Sequence, residues 1–307
     1  RATKPGDIVT SSAGKTIELT GSKPGMLFME IKPASGNGPP QVAGLAVSPR
    51  AITPSLPAPR DFDRFWKKQI TKSKRVPLDA VLTPGASDRT GVEYFTLRMQ
   101  HSDGGQIHGQ LARPARDGKF PALVIYQWAG RPYPLQKSWV TERAAQGWLV
   151  LNIEPHDVLP DQPQAYYDAL PDELKNYQNI GRGDRARNYF WRMYLADSRA
   201  VDYLAARPDW NGTTLVAMGT SMGGQQSICT AALNNKGTAL IAHVPAGADM
   251  LGPLHGRASG YPNWPASDKA VQQTAPFFDT VNCAARVKVP ALVSMGFVDT
   301  VTPPVGI

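Results

Sequence analysis

Apolar residues in this chain gather in short runs separated by polar, helix-forming stretches. The runs are Pro121 to Tyr126, Trp148 to Ile153, Thr213 to Met218, Ala239 to Val244 and Pro290 to Gly296. Runs of this length, bounded by turn residues, predict strands buried on both faces. Helices are predicted between them over Leu135 to Gln146, Tyr189 to Ala206 and Gln225 to Leu233. Ahead of the first run, Tyr94 to Met99 and Ile107 to Ala112 flank the turn Ser102-Asp103-Gly104-Gly105 and predict a hairpin. An antiparallel lead-in followed by alternating strands and helices predicts an α/β fold, a mostly parallel sheet with helices on both faces. Such sheets bind ligands at the carboxyl ends of their strands.

The flanking segments read differently. Residues 1–50 hold strand-like pieces, Thr16 to Leu19 and Met26 to Ile31, punctuated by Gly and Pro without helical periodicity. They predict part of a small β-sandwich-like module ahead of a larger domain over residues 51–307. The Pro-rich Ser48 to Pro59 reads as a semi-rigid linker or a strap across a surface. An amphipathic helix is expected from Phe62 with Asp61 as its cap. A long polar insertion runs from His156 to about Asp184, and a Gly/Pro-rich excursion from Gly247 to Pro265.

Composition narrows the class only a little. The 307 residues are 42% apolar and 19% charged, with a formal charge of +8. The basic residues are scattered, and the densest group (Lys67, Lys68, Lys72, Lys74 and Arg75) fits the solvated face of a helix, so no nucleic-acid partner is expected. Cys229 and Cys283 give neither a disulfide framework nor a metal spacing, and read as buried, inert thiols. No apolar run reaches membrane-spanning length, and no membrane partner is expected. The first residue is Arg1, not Met, which fits a processed start.

The chemistry centres on Gly219-Thr220-Ser221-Met222-Gly223. It follows an apolar strand and opens a helix, the context a Gly-x-Ser-x-Gly nucleophile elbow requires. Gly219 and Gly223 stand where side chains would collide with the tight backbone crossing. Ser221 then sits at the apex as nucleophile, and the amide of Met222, at the helix start, points where an oxyanion would form. A serine hydroxyl needs a base, and the base an orienting carboxylate. Asp299, just past the last predicted strand, meets the second need; in this fold the histidine follows the carboxylate. None of His101, His108, His156, His243 and His255 does. His101 and His108 lie in the early hairpin and are expected at the surface, and His243 within a strand. His156 and His255 lie in loops bordering the site and are candidates for substrate contact. The last helix, strand and loop of the fold, with the base, are expected beyond Ile307.

With Ser221 and Asp299 placed, the chain resembles the acetyl xylan esterase and cephalosporin-C deacetylase family of α/β-hydrolases. The resemblance spans roughly Pro57 to Pro304. It rests on Pro57-Ala58-Pro59-Arg60-Asp61-Phe62-Asp63-Arg64-Phe65-Trp66, on Tyr189 to Leu204, on Gly219 to Gly224 and on Phe277 to Pro304. It implies Ser221 as nucleophile, Asp299 as its carboxylate and a histidine a few dozen residues further on. Three departures touch the site's walls. Met222 stands where the family has Gln. Gln127-Trp128-Ala129-Gly130-Arg131 replaces the family's His-Gly-Tyr-Gly-Gly, and by that match Ala129 supplies the second oxyanion amide. Glu154-Pro155-His156 replaces its Arg-Gly-Gln.

The leading expectation is a serine esterase that removes acetyl or similarly small acyl groups from carbohydrate hydroxyls, using neither cofactor nor metal. Trp128, Tyr133, Tyr261 and Trp264 lie in loops near the expected mouth and are candidates for stacking on sugar rings. Two alternatives stay open: a prolyl-oligopeptidase-like serine peptidase, against which the N-terminal strands are too few for a propeller, and a non-catalytic carbohydrate-binding protein that kept the fold. A secreted or periplasmic location is expected, with β structure ahead of a polysaccharide-directed enzyme. Homo-oligomerisation is left open.

Overall fold

The structure, a computed structural model, describes residues 21–307. Its first two strands, β1 (Gly25–Ile31) and β2 (Gln41–Val47), pair antiparallel with Gly25 opposite Val47. The strand expected over Thr16 to Leu19 lies outside the described residues. β2 abuts the chain after the last strand: a Cβ added to Gly44 would stand 2.5 Å from the carbonyl oxygen of Phe297. The Pro-rich segment that follows is a pinned strap. Ser55 donates its N–H and its hydroxyl to the Asp249 carboxylate at 3.1 and 2.7 Å. Arg257 donates to that same carboxylate and to the Thr53 carbonyl, each at 2.6 Å.

Helix α1 (Phe62–Ser73) buries Phe62 and Trp66, and the Trp66 indole donates to the Phe277 carbonyl at 2.9 Å. Lys67, Lys68 and Lys72, with Lys74 and Arg75 just beyond the helix, are exposed as expected. Asp61 stands at the N-cap without capping. Its carboxylate pairs instead with Arg185 at 3.1 Å, and an aspartate has only so many lone pairs at one orientation to offer.

The main sheet follows. β3 (Val81–Gly85), β4 (Val92–Gln100) and β5 (Gln106–Pro114) form an antiparallel meander. β3 was not expected, being short and carrying Pro84; proline is tolerated there because β3 is an edge strand. After β6 (Phe120–Tyr126) and α2 (Lys137–Ala145) comes β7 (Leu149–Glu154), which pairs with β6 in parallel and with β5 antiparallel. The insertion carries α3 (Gln164–Asp168), α4 (Asp172–Lys175) and a 3-10 turn at Tyr177–Asn179, and leads to α5 (Tyr189–Ala206). Then come β8 (Trp210–Thr220), α6 (Met222–Leu233), β9 (Ala239–His243), α7 (Lys269–Thr274), α8 (Thr280–Ala284) and β10 (Ala291–Ser294). The eight strands lie in the order β10-β9-β8-β6-β7-β5-β4-β3, with β6 to β10 joined by parallel pairings wherever they touch. This is the α/β-hydrolase arrangement expected.

The continuous apolar runs are explained by burial on both faces. Along β6, Ala122, Val124 and Tyr126 enter one core with Trp66, Phe190, Tyr194 and Phe278, while Leu123 and Ile125 pack with Val140 and Ala144 of α2 on the other side. Cys229 and Cys283 lie in the first core, free and buried. At the far edge β10 differs, since all four of its residues are exposed.

Two histidines correct an expectation. His101 and His108 are buried, 0% and 8% exposed. His101 is held by Asp103 at 2.6 Å and by the Arg192 carbonyl at 3.0 Å; His108 faces Asp157 at 3.4 Å. Arg192 bridges the two aspartates, at 3.3 and 3.0 Å. The hairpin is thus roofed by α5 and the insertion, an arrangement set by residues far away in sequence.

Candidate active site

β8 ends at Thr220 and α6 begins at Met222, leaving Ser221 alone to turn the chain. Its φ of 57° and ψ of −118° lie where an L-residue is strained. The turn is as tight as the glycines imply. A Cβ on Gly219 would lie 2.3 Å from the backbone of Gly223, and one on Gly223 would lie 2.3 Å from the carbonyl oxygen of Tyr126. The elbow is thereby seated on the carboxyl end of β6. Ser221 is half-buried, its N–H donating to the His243 carbonyl at 2.9 Å and its carbonyl accepting from Ala246 at 3.0 Å and Gln225 at 3.1 Å.

Met222, fully buried, begins α6, whose first amides lack helical partners and carry the positive end of the helix dipole. Its thioether sulfur accepts from the Tyr261 hydroxyl at 3.2 Å and the Tyr177 hydroxyl at 3.4 Å, and the two hydroxyls meet at 2.8 Å. Ala129 lies half-buried in the loop after β6, against the same core. Tyr133 braces that loop by donating to the Gln127 side chain and the Trp128 carbonyl, both at 3.0 Å.

Asp299 follows β10, two strands from β8. Ser221 and Asp299 therefore lie at the carboxyl end of the parallel part of the sheet, with β9 between their strands. The Asp299 carboxylate accepts from the N–H groups of Val301 and Thr302 and from the Thr302 hydroxyl, each at 2.8 Å. Burial alone would raise its pKa; these hydrogen bonds outweigh that and hold the carboxyl below its ordinary value. The group is anionic at neutral pH.

Among the described residues no histidine side chain hydrogen-bonds the Ser221 hydroxyl or the Asp299 carboxylate. His243 gives its Nδ1 to the Ser294 hydroxyl at 2.7 Å. His255 is exposed in the 3-10 turn Gly252–His255. His156 is buried, and its Nδ1 meets the Tyr189 hydroxyl at 2.9 Å. Burial, with the charge of Arg192, lowers its pKa to about 3, so the ring is neutral. Beside it, burial raises Glu154 to about 8 against the opposing His156 N–H, so at neutral pH this carboxyl is chiefly protonated. The replacement at Glu154-Pro155-His156 therefore builds a buried, uncharged wall, and His156 is closed to direct substrate contact.

The aromatic candidates part company. Trp128 is 40% exposed, stacked 6.1 Å from Tyr133 and edge-on to Trp139 at 4.8 Å, and much of its ring still meets solvent. Trp264 is 4% exposed, its indole donates to the Gln178 carbonyl at 2.7 Å, and it stacks on Phe190 at 5.4 Å. Protein already occupies the surfaces a sugar would need. Tyr261 turns its hydroxyl inward to Tyr177 and Met222, and serves the wall.

Gln127 and Glu154 were read as part of the site's walls, whereas the contributions of Tyr177, Tyr189 and Gln226 escaped the sequence reading. The one signal available was chemical: Gln225 and Gln226 stand side by side in a helix that follows a buried strand, and buried amides need partners.

Known proteins resemble this chain over nearly all its length. The acetyl xylan esterase (AXE1) family matches residues 50–250 and 261–307. Acetyl esterase Axe7A of Xylanibacter ruminicola is 30% identical over 312 residues, covering 99% of this chain and 71% of its own. The solved acetyl xylan esterase from Paenibacillus sp. R4 superposes with a TM-score of 0.70 at 24% identity, over 83% of this chain and 85% of its own. Acetyl xylan esterase 1 from Thermoanaerobacterium sp. JW/SL YS485 gives 0.68 at 19% identity, over 84% of each chain.

Proposed function

The chain belongs to the acetyl xylan esterase family, carboxylic ester hydrolases, and from that premise we propose that Ser221 cleaves acetyl groups from hydroxyls of an acetylated carbohydrate. The observation that carries the reading is the strained elbow, which lifts Ser221 off the sheet with the first amide of α6 directly behind it.

Ser221 Oγ attacks the acetyl carbonyl while a histidine, oriented by Asp299, takes its proton. Negative charge builds on the carbonyl oxygen, and the N–H groups of Met222 and Ala129 donate to it. The histidine then protonates the departing sugar hydroxyl, leaving acetyl-Ser221. Water, deprotonated by the same histidine, attacks the acyl carbonyl and releases acetate. The exposure of Trp128, on the loop that carries Ala129, supports a sugar ring as the alcohol half. We propose further that the enzyme works outside the cytoplasm, where acetylated polysaccharide would be met.

The test is acetate release from acetylated xylo-oligosaccharide by the full-length enzyme and by Ser221→Ala, with a fluorophosphonate probe to mark the nucleophile. Wild type should release acetate and carry the label on Ser221, and Ser221→Ala should do neither beyond a trace. Faster cleavage of a peptide amide than of the acetyl ester would overturn the reading.

A further inference from the structure

Gln226 lies one turn into α6, at 0% exposure, with its amide nitrogen spent on two carbonyls. It donates to the carbonyl of Gln127 at 3.0 Å and to the carbonyl of Met222 at 3.2 Å. Both acceptors are backbone oxygens, so the nitrogen must face them and the side-chain oxygen must turn away. That oxygen is buried without a partner. A buried amide oxygen left unpaired is a standing cost, and a leucine here would avoid it.

The two carbonyls stand at the roots of the two structures that supply the oxyanion donors. Gln127 directly follows Tyr126, the last residue of β6, and starts the loop carrying Ala129. Met222 is the residue after the nucleophile. Nothing else in the hydrogen bonding of the described residues joins these peptides through one group. The Gln127 side chain, for its part, is fixed from outside by Asn152 and by the Tyr133 hydroxyl. Gly223, packed on the Tyr126 carbonyl, sets how closely the elbow approaches β6 but does not fix the loop beyond.

We propose that Gln226 is a positioning residue, a clamp that sets the distance between the Met222 and Ala129 amides in the oxyanion hole. This rests on the reading of Ser221 as nucleophile and of those amides as donors. A donor displaced by a few tenths of an ångström still leaves substrate bound, since the ground-state carbonyl needs little from it. Its loss is felt where the oxyanion forms, so the clamp acts on turnover more than on binding.

The experiment compares full-length wild type, Gln226→Leu and Gln226→Met on p-nitrophenyl acetate, with Tm and fluorophosphonate labelling measured alongside. Both substitutions keep the volume and remove the two donated hydrogen bonds. The expected result is a fall in kcat of ten-fold or more with KM within two-fold, and slower labelling that still lands on Ser221. Wild-type kcat in either folded variant overturns the clamp while leaving the nucleophile in place. A parallel loss in kcat and rise in KM, or collapse of both variants, makes Gln226 a folding residue and overturns it too. Wild type that labels elsewhere than Ser221 overturns the nucleophile assignment itself, and the clamp with it.

Discussion

The amide of Ser221 donates to the carbonyl of His243 at 2.9 Å, from the end of β8 to the end of β9. With the Ser221 carbonyl also satisfied by Ala246 and Gln225, the strained residue has both backbone groups paired. A conformation that costs on the order of 1–3 kcal/mol is thus held by strands and helix together. The nucleophile is rigid because its neighbours leave it no alternative.

The same crowding makes Gly223→Ala a severe change. Its methyl would stand 2.3 Å from the Tyr126 carbonyl oxygen, so backbone must move on one side or the other. Urea unfolding should show a loss of about 2–4 kcal/mol, with esterase turnover reduced at least as strongly. A variant matching wild type in both would mean that the elbow is not seated on β6.

Asp299→Asn separates charge from shape. The carboxylate accepts three hydrogen bonds from its own loop, two of them through one oxygen, which an amide oxygen can keep. With the loop preserved, kcat on an acetyl ester should fall by about 10³–10⁴-fold from loss of the orienting charge. A decrease of less than ten-fold would remove Asp299 from the catalytic set.

Trp128→Ala should discriminate between substrates. A single stacked ring is worth about 0.5–1.5 kcal/mol, or roughly a two- to twelve-fold rise in KM on acetylated xylo-oligosaccharides. On p-nitrophenyl acetate, which has no sugar to stack, KM should stay put. Equal effects on the two would make Trp128 a loop-packing residue.

Glu154 predicts a pH dependence of stability. Its pKa is about 8 in the fold against an ordinary 4.5, so between these values the folded chain keeps a proton the unfolded chain has released. Its contribution is complete below pH 4.5 and is lost as pH rises toward 8, at most about 1.4 kcal/mol per pH unit. His156 works in the opposite sense: lowered to about 3, it contributes above pH 6.5 and is lost as pH falls toward 3. Glu154→Gln keeps the wall uncharged at every pH. The gap between variant and wild-type Tm should therefore move in the variant's favour from pH 4.5 to 8, and parallel curves would show that Glu154 ionises freely in the fold.

Periodicity and local chemistry made much of this molecule legible. A strand buried on both faces must be apolar throughout, so Phe120–Tyr126 and Leu149–Glu154 announce themselves. The helix at Tyr189–Ala206 fell where its pattern placed it. The elbow was readable because its geometry excludes every side chain but hydrogen at two positions, which writes glycine into the sequence at fixed spacing. Asp299 drew notice from its place after a strand, and there its carboxylate accepts from the N–H groups of Val301 and Thr302.

The walls of the site were not legible in this way. Tyr177 comes from a polar insertion, Tyr261 from a Gly/Pro-rich excursion and Met222 from the elbow, yet their three polar atoms meet within hydrogen-bond distance. His101 and His108 looked like hairpin surface until α5 and Arg192 covered them. Trp264 and Trp128 read alike as loop aromatics, and only packing buried one and left the other exposed. The sequence alone determined the buried strands, the long helices and the tight turn at Ser221, because each obeys rules acting over a few neighbouring residues. Tertiary structure alone decided which polar groups are buried, and so which are held neutral. Burial depends on what distant segments bring to the same place, and no local pattern records that.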